Sequence, residues 1–367
     1  MEELSKTGRP DRFFAASNSA HGFKNYFDEI FSPREYGKVY ILKGGPGTGK
    51  SRFMRDVAQA AEEKGYKTEY FYCSSDPDSL DGLIIGEGMC AIIDGTAPHA
   101  TDPIYPGCVD TIINLGEHWN EEMLTDSRER IIELSDAKKR AYSMAYRFLE
   151  ASELVADEIR REARDAVELG KLRGAVSRMF AKVPAGARFE KTTRIVNSVG
   201  MNGEVGFDTF INKAKTNYYI LDVAGTAYIF FSELYKKANE KKLPVYVSYS
   251  PISPDIIDAL YFPSLSISFT SQKKKLELKE NEKLINMARF INRERLSEIR
   301  GKIRFCARCR DALLSEAIDR LGKAKEAHFA LEEIYIAAMD FESKEKATAK
   351  WINKIIGYCE KRKNMVE

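Results

Sequence analysis

The chain has 367 residues, 44% hydrophobic and 31% charged, with a formal net charge of +2. That length allows two domains, or one with large insertions, and near-neutrality excludes a global field suited to nucleic acid or an anionic membrane. No apolar run reaches bilayer-spanning length and the start, Met1-Glu2-Glu3, is polar rather than leader-like. Cys73, Cys90, Cys108, Cys306, Cys309 and Cys359 form no disulfide framework, so a cytoplasmic protein with reduced thiols is expected.

In chain order, residues 24–31 have helical spacing, with Tyr26, Phe27, Ile30 and Phe31 on one face. Residues 38–43 read as a strand that runs into Gly44-Gly45-Pro46-Gly47-Thr48-Gly49-Lys50-Ser51, and a helix is predicted from Arg52. Strand, glycine-rich loop and helix together are the context in which G-x-x-x-x-G-K-[ST] denotes a phosphate-binding P-loop. Backbone N–H groups at a helix N-terminus attract a polyphosphate, and glycine lets the backbone approach it closely. Lys50 then supplies a charge for the β- and γ-phosphates and Ser51 a hydroxyl for Mg²⁺. Gly44 through Arg52 are the candidate nucleotide-binding residues.

Gly65 ends this helix, and 67–73 is a strand rich in β-formers. An acidic, turn-rich loop is expected over 74–82. A buried strand follows over 89–94, ending in Asp94, placed as the Walker B aspartate that holds Mg²⁺ through water. From 117 to about 182 glycine and proline nearly vanish, which predicts two or three long amphipathic helices as an antiparallel hairpin. Residues 184–187 are a linker.

The order of elements then recurs. Residues 217–221 align with 38–42, 232–242 with the P-loop helix, 244–249 with the second strand, 253–260 with 76–83, and 262–269 with the strand before Asp94. A charged helical stretch from 272 closes the chain. Opposite the P-loop stands Asp222-Val-Ala-Gly-Thr-Ala-Tyr-Ile229, aligned with one residue fewer, so that Tyr228 replaces Lys50 and Ile229 replaces Ser51. This predicts an α/β protein built as a duplicated P-loop NTPase-like unit, a mainly parallel sheet flanked by helices, with the second copy degenerate. Its parts are a nucleotide-binding domain (1–116), a helical arm (117–186), a degenerate domain (187–271) and a C-terminal helical arm (272–367).

Residues 43–51, 73–82, 93–99 and 102–107 together resemble a bacterial family of tandem P-loop ATPase-like proteins, over the whole first half and more loosely over the second. The resemblance implies ATP binding and hydrolysis and supplies no substrate.

Catalytic candidates are Lys50, Asp94, Asp76 to orient the attacking water, and His99 as a γ-phosphate sensor on the loop after Asp94. Asp76 and Asp78 also suit a helix cap and tight turn, and Asp78 and Asp81 are kept in the second half as Asp255 and Asp258. His21, His118 and His328 have no partners at ligand spacing, and Cys306-x-x-Cys309 lacks the second pair that zinc needs. The basic run 273–275 and the residues beyond it interleave with glutamates, which favours a solvated helical face over nucleic acid. The expected activity is Mg²⁺-dependent ATP hydrolysis at one site, driving the helical arms, with the arms open to a protein partner or self-association. A small-molecule kinase with Asp76 as base, and an ATP-gated scaffold without turnover, are the alternatives. No N-K-x-D motif is present, which leans towards adenine.

Overall fold

The computed structural model describes residues 10–274 and 276–366. The polar start of the chain (1–9) and Lys275 of the basic run lie outside them. The first unit comprises β1 (Asp11–Phe14), the hairpin strands β2 (Ala16–Ser19) and β3 (Gly22–Asn25), the single turn α1 (Phe27–Ile30), β4 (Lys38–Lys43), α2 (Lys50–Glu63), β5 (Thr68–Tyr72), β6 (Leu80–Ile85), β7 (Cys90–Asp94) and β8 (Asp110–Asn114). A 3-10 turn (Leu115–His118) and α3 (Glu121–Asp126) lead into the 37-residue α4 (Arg128–Arg164) and then α5 (Leu169–Met179). The second unit follows the same order: β9 (Glu190–Thr193), β10 (Asn197–Gly200), β11 (Gly203–Gly206), α6 (Thr209–Lys213), β12 (Thr216–Leu221), α7 (Ala227–Glu240), β13 (Pro244–Tyr249), β14 (Ile257–Phe262), β15 (Ile267–Gln272) and β16 (Glu282–Asn286). After a second 3-10 turn (Met287–Phe290) come the 45-residue α8 (Arg293–Ala337) and α9 (Phe341–Val366).

The protein is α/β, with two sheets of mostly parallel strands flanked by helices. The first sheet runs β1-β5-β6-β7-β4-β8 and the second β9-β13-β14-β15-β12-β16. In each, one strand alone opposes its neighbours, β6 in the first and β14 in the second. α2 covers the first sheet with Phe53, Met54, Val57, Ala58 and Ala61, all buried along one stripe of the helix. None of the described helices is long and apolar enough to cross a membrane.

Several expectations change. Residues 11–25 form three strands, and the helix expected over 24–31 is reduced to the single turn Phe27–Ile30. The four residues of β2 are all buried, but small side chains without alternation carry no strand signal. Leu80–Ile85 is a strand whose first three residues fall in the loop expected over 74–82, and the strand expected over 262–269 is two, with β14 ending at Phe262 and β15 starting at Ile267. The alignment of 217–221 with 38–42 is one residue out of register. Lys43 pairs with Asn114 at the end of β8 and Leu221 with Asn286 at the end of β16, so Tyr218 stands where Tyr40 does. Both tyrosines pack under the helix that follows their strand. The repeated Tyr-Ile-Leu made the shifted match look better than the true one.

The helical stretches do not fold back on themselves as a hairpin. α4 pairs antiparallel with α8, Ala145 and Leu149 packing with Ala317 and Leu321, while Lys302 bridges Glu158 at 2.7 Å and Glu162 at 2.5 Å. α5 then lands on α7 of the second unit through Leu172 and Val176. α9 returns to the first unit, where Ile355, Ile356 and Cys359 join the core beneath α2. Each arm therefore completes the other unit. Between the sheets lies a shared core in which Phe13, Phe14, Phe27 and Phe71 meet Ile195, Phe210 and Tyr261. The Arg194–Glu69 ion pair borders it at 2.8 Å.

Candidate functional site

β4 and β7 are adjacent and parallel, with Leu42 opposite Asp94, so the loop 44–49 and the Asp94 carboxylate share the C-terminal edge of the sheet. Open α/β sheets place ligands at this edge. Gly47 and Gly49 have φ of 69° and 75°, the left-handed region that glycine enters without a Cβ penalty. Thr48 is fully buried and its hydroxyl donates to the Gly45 carbonyl at 3.0 Å, which closes the loop. α2 then begins at Lys50 with no side-chain cap on its N-terminus, and the first N–H groups of a helix have no intrahelical acceptor.

Lys50 Nζ donates to the carbonyls of Gly44 at 2.7 Å and Gly45 at 2.9 Å, and lies 3.6 Å from Asp94 Oδ2. The Ser51 hydroxyl accepts from Leu80 N at 3.0 Å. Pro46 lies in the half-buried part of the loop, and the Arg52 side chain turns away to an exposed pair with Asp56 at 2.8 Å. Lys50, Ser51 and Asp94 thus meet at one edge, while the Arg52 guanidinium stands outside it.

Asp94 Oδ1 accepts from the amide and hydroxyl of Thr96 at 2.9 and 2.6 Å, leaving Oδ2 towards Lys50. His99 is 5% exposed, and its ring stacks on Phe27 with centroids 4.7 Å apart. Its Nδ1 lies 2.7 Å from the Asp94 carbonyl oxygen and its Nε2 3.6 Å from Asp81 Oδ2. Burial alone would lower the His99 pKa, but the Asp81 carboxylate, aided by Asp94, more than offsets this and raises it above the ordinary imidazole value. One ligand atom from each of Asp81, Asp94 and His99 falls within 4.8 Å of the others. Both ring nitrogens of His99 are spent, one on the Asp94 carbonyl and one on the Asp81 carboxylate, so the cluster works first as a clamp that fixes the end of β7. Asp81 sits on β6, the strand missing from the sequence reading, and its match to Asp258 suggested structure alone.

Asp76 lies on the loop after β5. Its carboxylate accepts from Ser79 Oγ at 2.8 Å and from Lys325 Nζ at 2.9 Å. Burial works to raise its pKa, but these two hydrogen bonds prevail and hold it below the usual carboxylate range. Lys325 belongs to α8, so the C-terminal arm supplies the counter-charge.

The same arm roofs the loop. A Cβ on Gly47 would lie 2.8 Å from Ile336 Cγ1 and 3.0 Å from the Glu332 carbonyl oxygen, and one on Gly45 would lie 3.2 Å from the Trp119 ring. The Glu332 carboxylate is held below its ordinary pKa by His328, 3.5 Å away, and by the Gly47 backbone N–H. From α4, half-buried Lys138 has its pKa lowered by burial and by the neighbouring Lys50 charge. Nothing local in the sequence marks Lys138, Lys325 or Glu332, since each lies in a long helix of mixed charge.

The second loop keeps the frame and fills it. Thr226 donates to the Val223 carbonyl at 2.8 Å, as Thr48 does to Gly45. Asp222 replaces Gly44, and its carboxylate accepts from Gly225 N at 2.8 Å and Ala227 N at 2.7 Å. Burial raises its pKa against these amides. Ile229 is buried in the core and Tyr228 packs against it, where Lys50 and Ser51 stand in the first unit. No protein-family profile, curated protein or solved structure matches this chain.

Proposed function

We propose that the first unit binds ATP with Mg²⁺ at the loop 44–51 and hydrolyses it, and that the second unit is a degenerate duplicate that carries no nucleotide. The observation supporting this most directly is the uncapped start of α2 beside Lys50 and Asp94, against a second loop whose amides are taken by Asp222. A helix N-terminus with free N–H groups and an adjacent ammonium suits a phosphate chain. The donor chemistry also fits Mg²⁺, a hard cation that prefers oxygen. Ser51 Oγ and the Asp94 oxygen not spent on Thr96 would hold it, where it would neutralise charge on the phosphates.

In this reading Lys50 bears on the terminal phosphates, and the His99–Asp81 pair keeps the end of β7 and its carboxylate in place. Attack of water on the terminal phosphorus would break its bond to the bridging oxygen, giving ADP and phosphate. The identical strand order of the two sheets supports duplication, and the arm over the loop gives nucleotide occupancy a route to α4 and α8.

Lys50→Ala is expected to weaken ATP binding roughly 100-fold, since hydrogen bonds to charged groups contribute about 1.5–3 kcal/mol. Calorimetry and phosphate release measure it. Unchanged affinity would remove the site. A phosphorylated acceptor in place of free phosphate would make the protein a kinase, and tight binding without turnover would make it an ATP-gated scaffold.

A further inference from the structure

The arm that closes over the first loop brings in a charge that the loop's own sequence does not contain. Lys344, in the first turn of α9, is 5% exposed. Its Nζ stands 2.7 Å from the point a Cβ of Gly49 would occupy, directly over the residue that precedes α2. No hydrogen bond to an acceptor holds this ammonium among the described residues. Burial lowers its pKa, and only the longer-range attraction of Asp56 and Glu345, opposed by Arg52, acts on it. An ammonium held over the loop with no ion-pair partner of its own is available to an anion.

The second unit shows what a satisfied arrangement looks like. There the cation over the loop is Arg160 of α4, whose Cγ lies 2.8 Å from the point a Cβ of Gly225, the counterpart of Gly47 rather than Gly49, would occupy. Arg160 is already paired, with Glu153 at 2.5 Å and Asp157 at 3.4 Å. Over the filled loop the arm's cation is neutralised within the arm. Over the open loop Lys344 has no such pair among the described residues, while Lys50 and Lys138 stand nearby with the carboxylates of Asp94 and Glu332. An ammonium without a pair of its own beside an uncapped helix N-terminus suits a phosphate.

We propose that Lys344 is a phosphate ligand of the first loop, donated by the C-terminal arm, so that the phosphate chain of a nucleoside di- or triphosphate bridges α2 and α9. This rests on the phosphate-site reading above and adds to it a residue nearly 300 positions from the glycine-rich motif. Binding would then tie α9 to the loop through the ligand, giving the closing arm a direct share in affinity.

The test uses the full chain with pyrophosphate, ADP and Mg-ATP as probes, and Lys344→Met and Lys344→Gln as variants. Expected is a 10- to 100-fold rise in Kd for pyrophosphate and ADP, as hydrogen bonds to charged groups imply. The ligand-free variants should melt close to the wild-type temperature, because no hydrogen bond or ion pair of the Lys344 side chain is lost. Lower melting temperatures with unchanged Kd would make Lys344 structural and overturn the inference. An unchanged Kd in variants of normal stability, with Lys50→Ala deficient in the same assay, would also overturn it while leaving the phosphate site standing. Absence of binding by the wild-type chain to all three probes would instead remove the phosphate-site reading, and this inference with it. Should Lys344→Met not fold, Lys344→Gln, similar in length and uncharged, carries the same readouts.

Discussion

In each unit a buried threonine closes a glycine-containing turn onto the carbonyl three residues back, and a 14-residue helix starts just beyond. From that common frame, in which only the pairs Gly47/Gly225 and Thr48/Thr226 agree, three of the differences change the chemistry. Gly44 becomes Asp222, whose carboxylate takes two loop amides, while Lys50 and Ser51 become Tyr228 and Ile229, which pack into the second core. The arms differ in the same sense. Lys325 reaches Asp76 over the first loop, whereas Glu153 accepts from Ser253 at 2.5 Å over the second. The second loop meets its amides with its own Asp222, whereas in the first the Gly47 N–H is met by Glu332 of the arm and the start of α2 has no side-chain cap. Fold and chemistry are therefore separable here: the sheet, hairpin and arm persist in both units, and the charge pattern alone tells them apart.

The largest expected effect breaks the contact that distinguishes the two roofs. Lys325→Met leaves Asp76 without its counter-charge, with side chains that are only 10% and 21% exposed in the pair. Removing one partner of a buried ion pair costs about 3 kcal/mol or more, so urea unfolding should shift by about that amount. A change below about 1 kcal/mol would mean that the arm is not held there.

Asp258 and Asp81 occupy the second position of β14 and β6, and they diverge in their partners. Asp81 faces His99, whereas Asp258 accepts from Asn197 Nδ2 at 2.8 Å and from the side chain of Ser248. Burial pushes the Asp258 pKa from 3.8 up to about 6. The folded state thus favours the neutral carboxyl. Its contribution to stability is fully present below the unfolded pKa and is lost as pH rises through about 6. Relative to Asp258→Asn, the wild-type chain should lose on the order of 3 kcal/mol between pH 4 and 7, because each tenfold change in proton affinity on folding is worth about 1.4 kcal/mol. Parallel pH profiles for the two proteins would refute this.

Asp222→Ala removes an internal cap and should lower stability by about 1–2 kcal/mol, read as a fall in thermal midpoint. It should not create a second nucleotide site, because Tyr228 and Ile229 remain. Two equivalents of ATP per chain for this variant would show that Asp222 alone silenced the loop. The smallest effect is Arg52→Ala, which breaks an exposed i,i+4 pair with Asp56. It should cost under about 0.5 kcal/mol and leave Kd for ATP within about twofold, since the guanidinium faces away from the loop. A larger loss would bring that side chain into the site.

β4 and β13 are legible from sequence at both ends, because a run of β-formers bounded by turn residues is a local signal. So is the closing glycine of α2, Gly65, with φ of 80°. The one-residue slip between 217–221 and 38–42 came from the same kind of signal, since adjacent apolar positions in a buried strand are interchangeable by composition. β6 was hidden by Asp81 and Gly82 near its start, and β2 by its small side chains. The helices were visible as helices, but an amphipathic stripe says only that something apolar covers it. α4 could have paired with its own unit as well as with α8. Lys325 and Lys344 read as members of a solvated face, and both are buried.

The sequence alone determined the local geometry of the first loop, where glycines permit left-handed φ and a lysine and serine follow at fixed spacing, and it determined that the second loop lacks those groups. Both depend on interactions within a few residues, which residue type and spacing specify. The tertiary structure decided what stands over the loops. The Asp76–Lys325 pair spans 249 residues, and its partner was selected by the crossing of two arms packed on each other's units, a choice that depends on the whole core and on no single stretch of the chain.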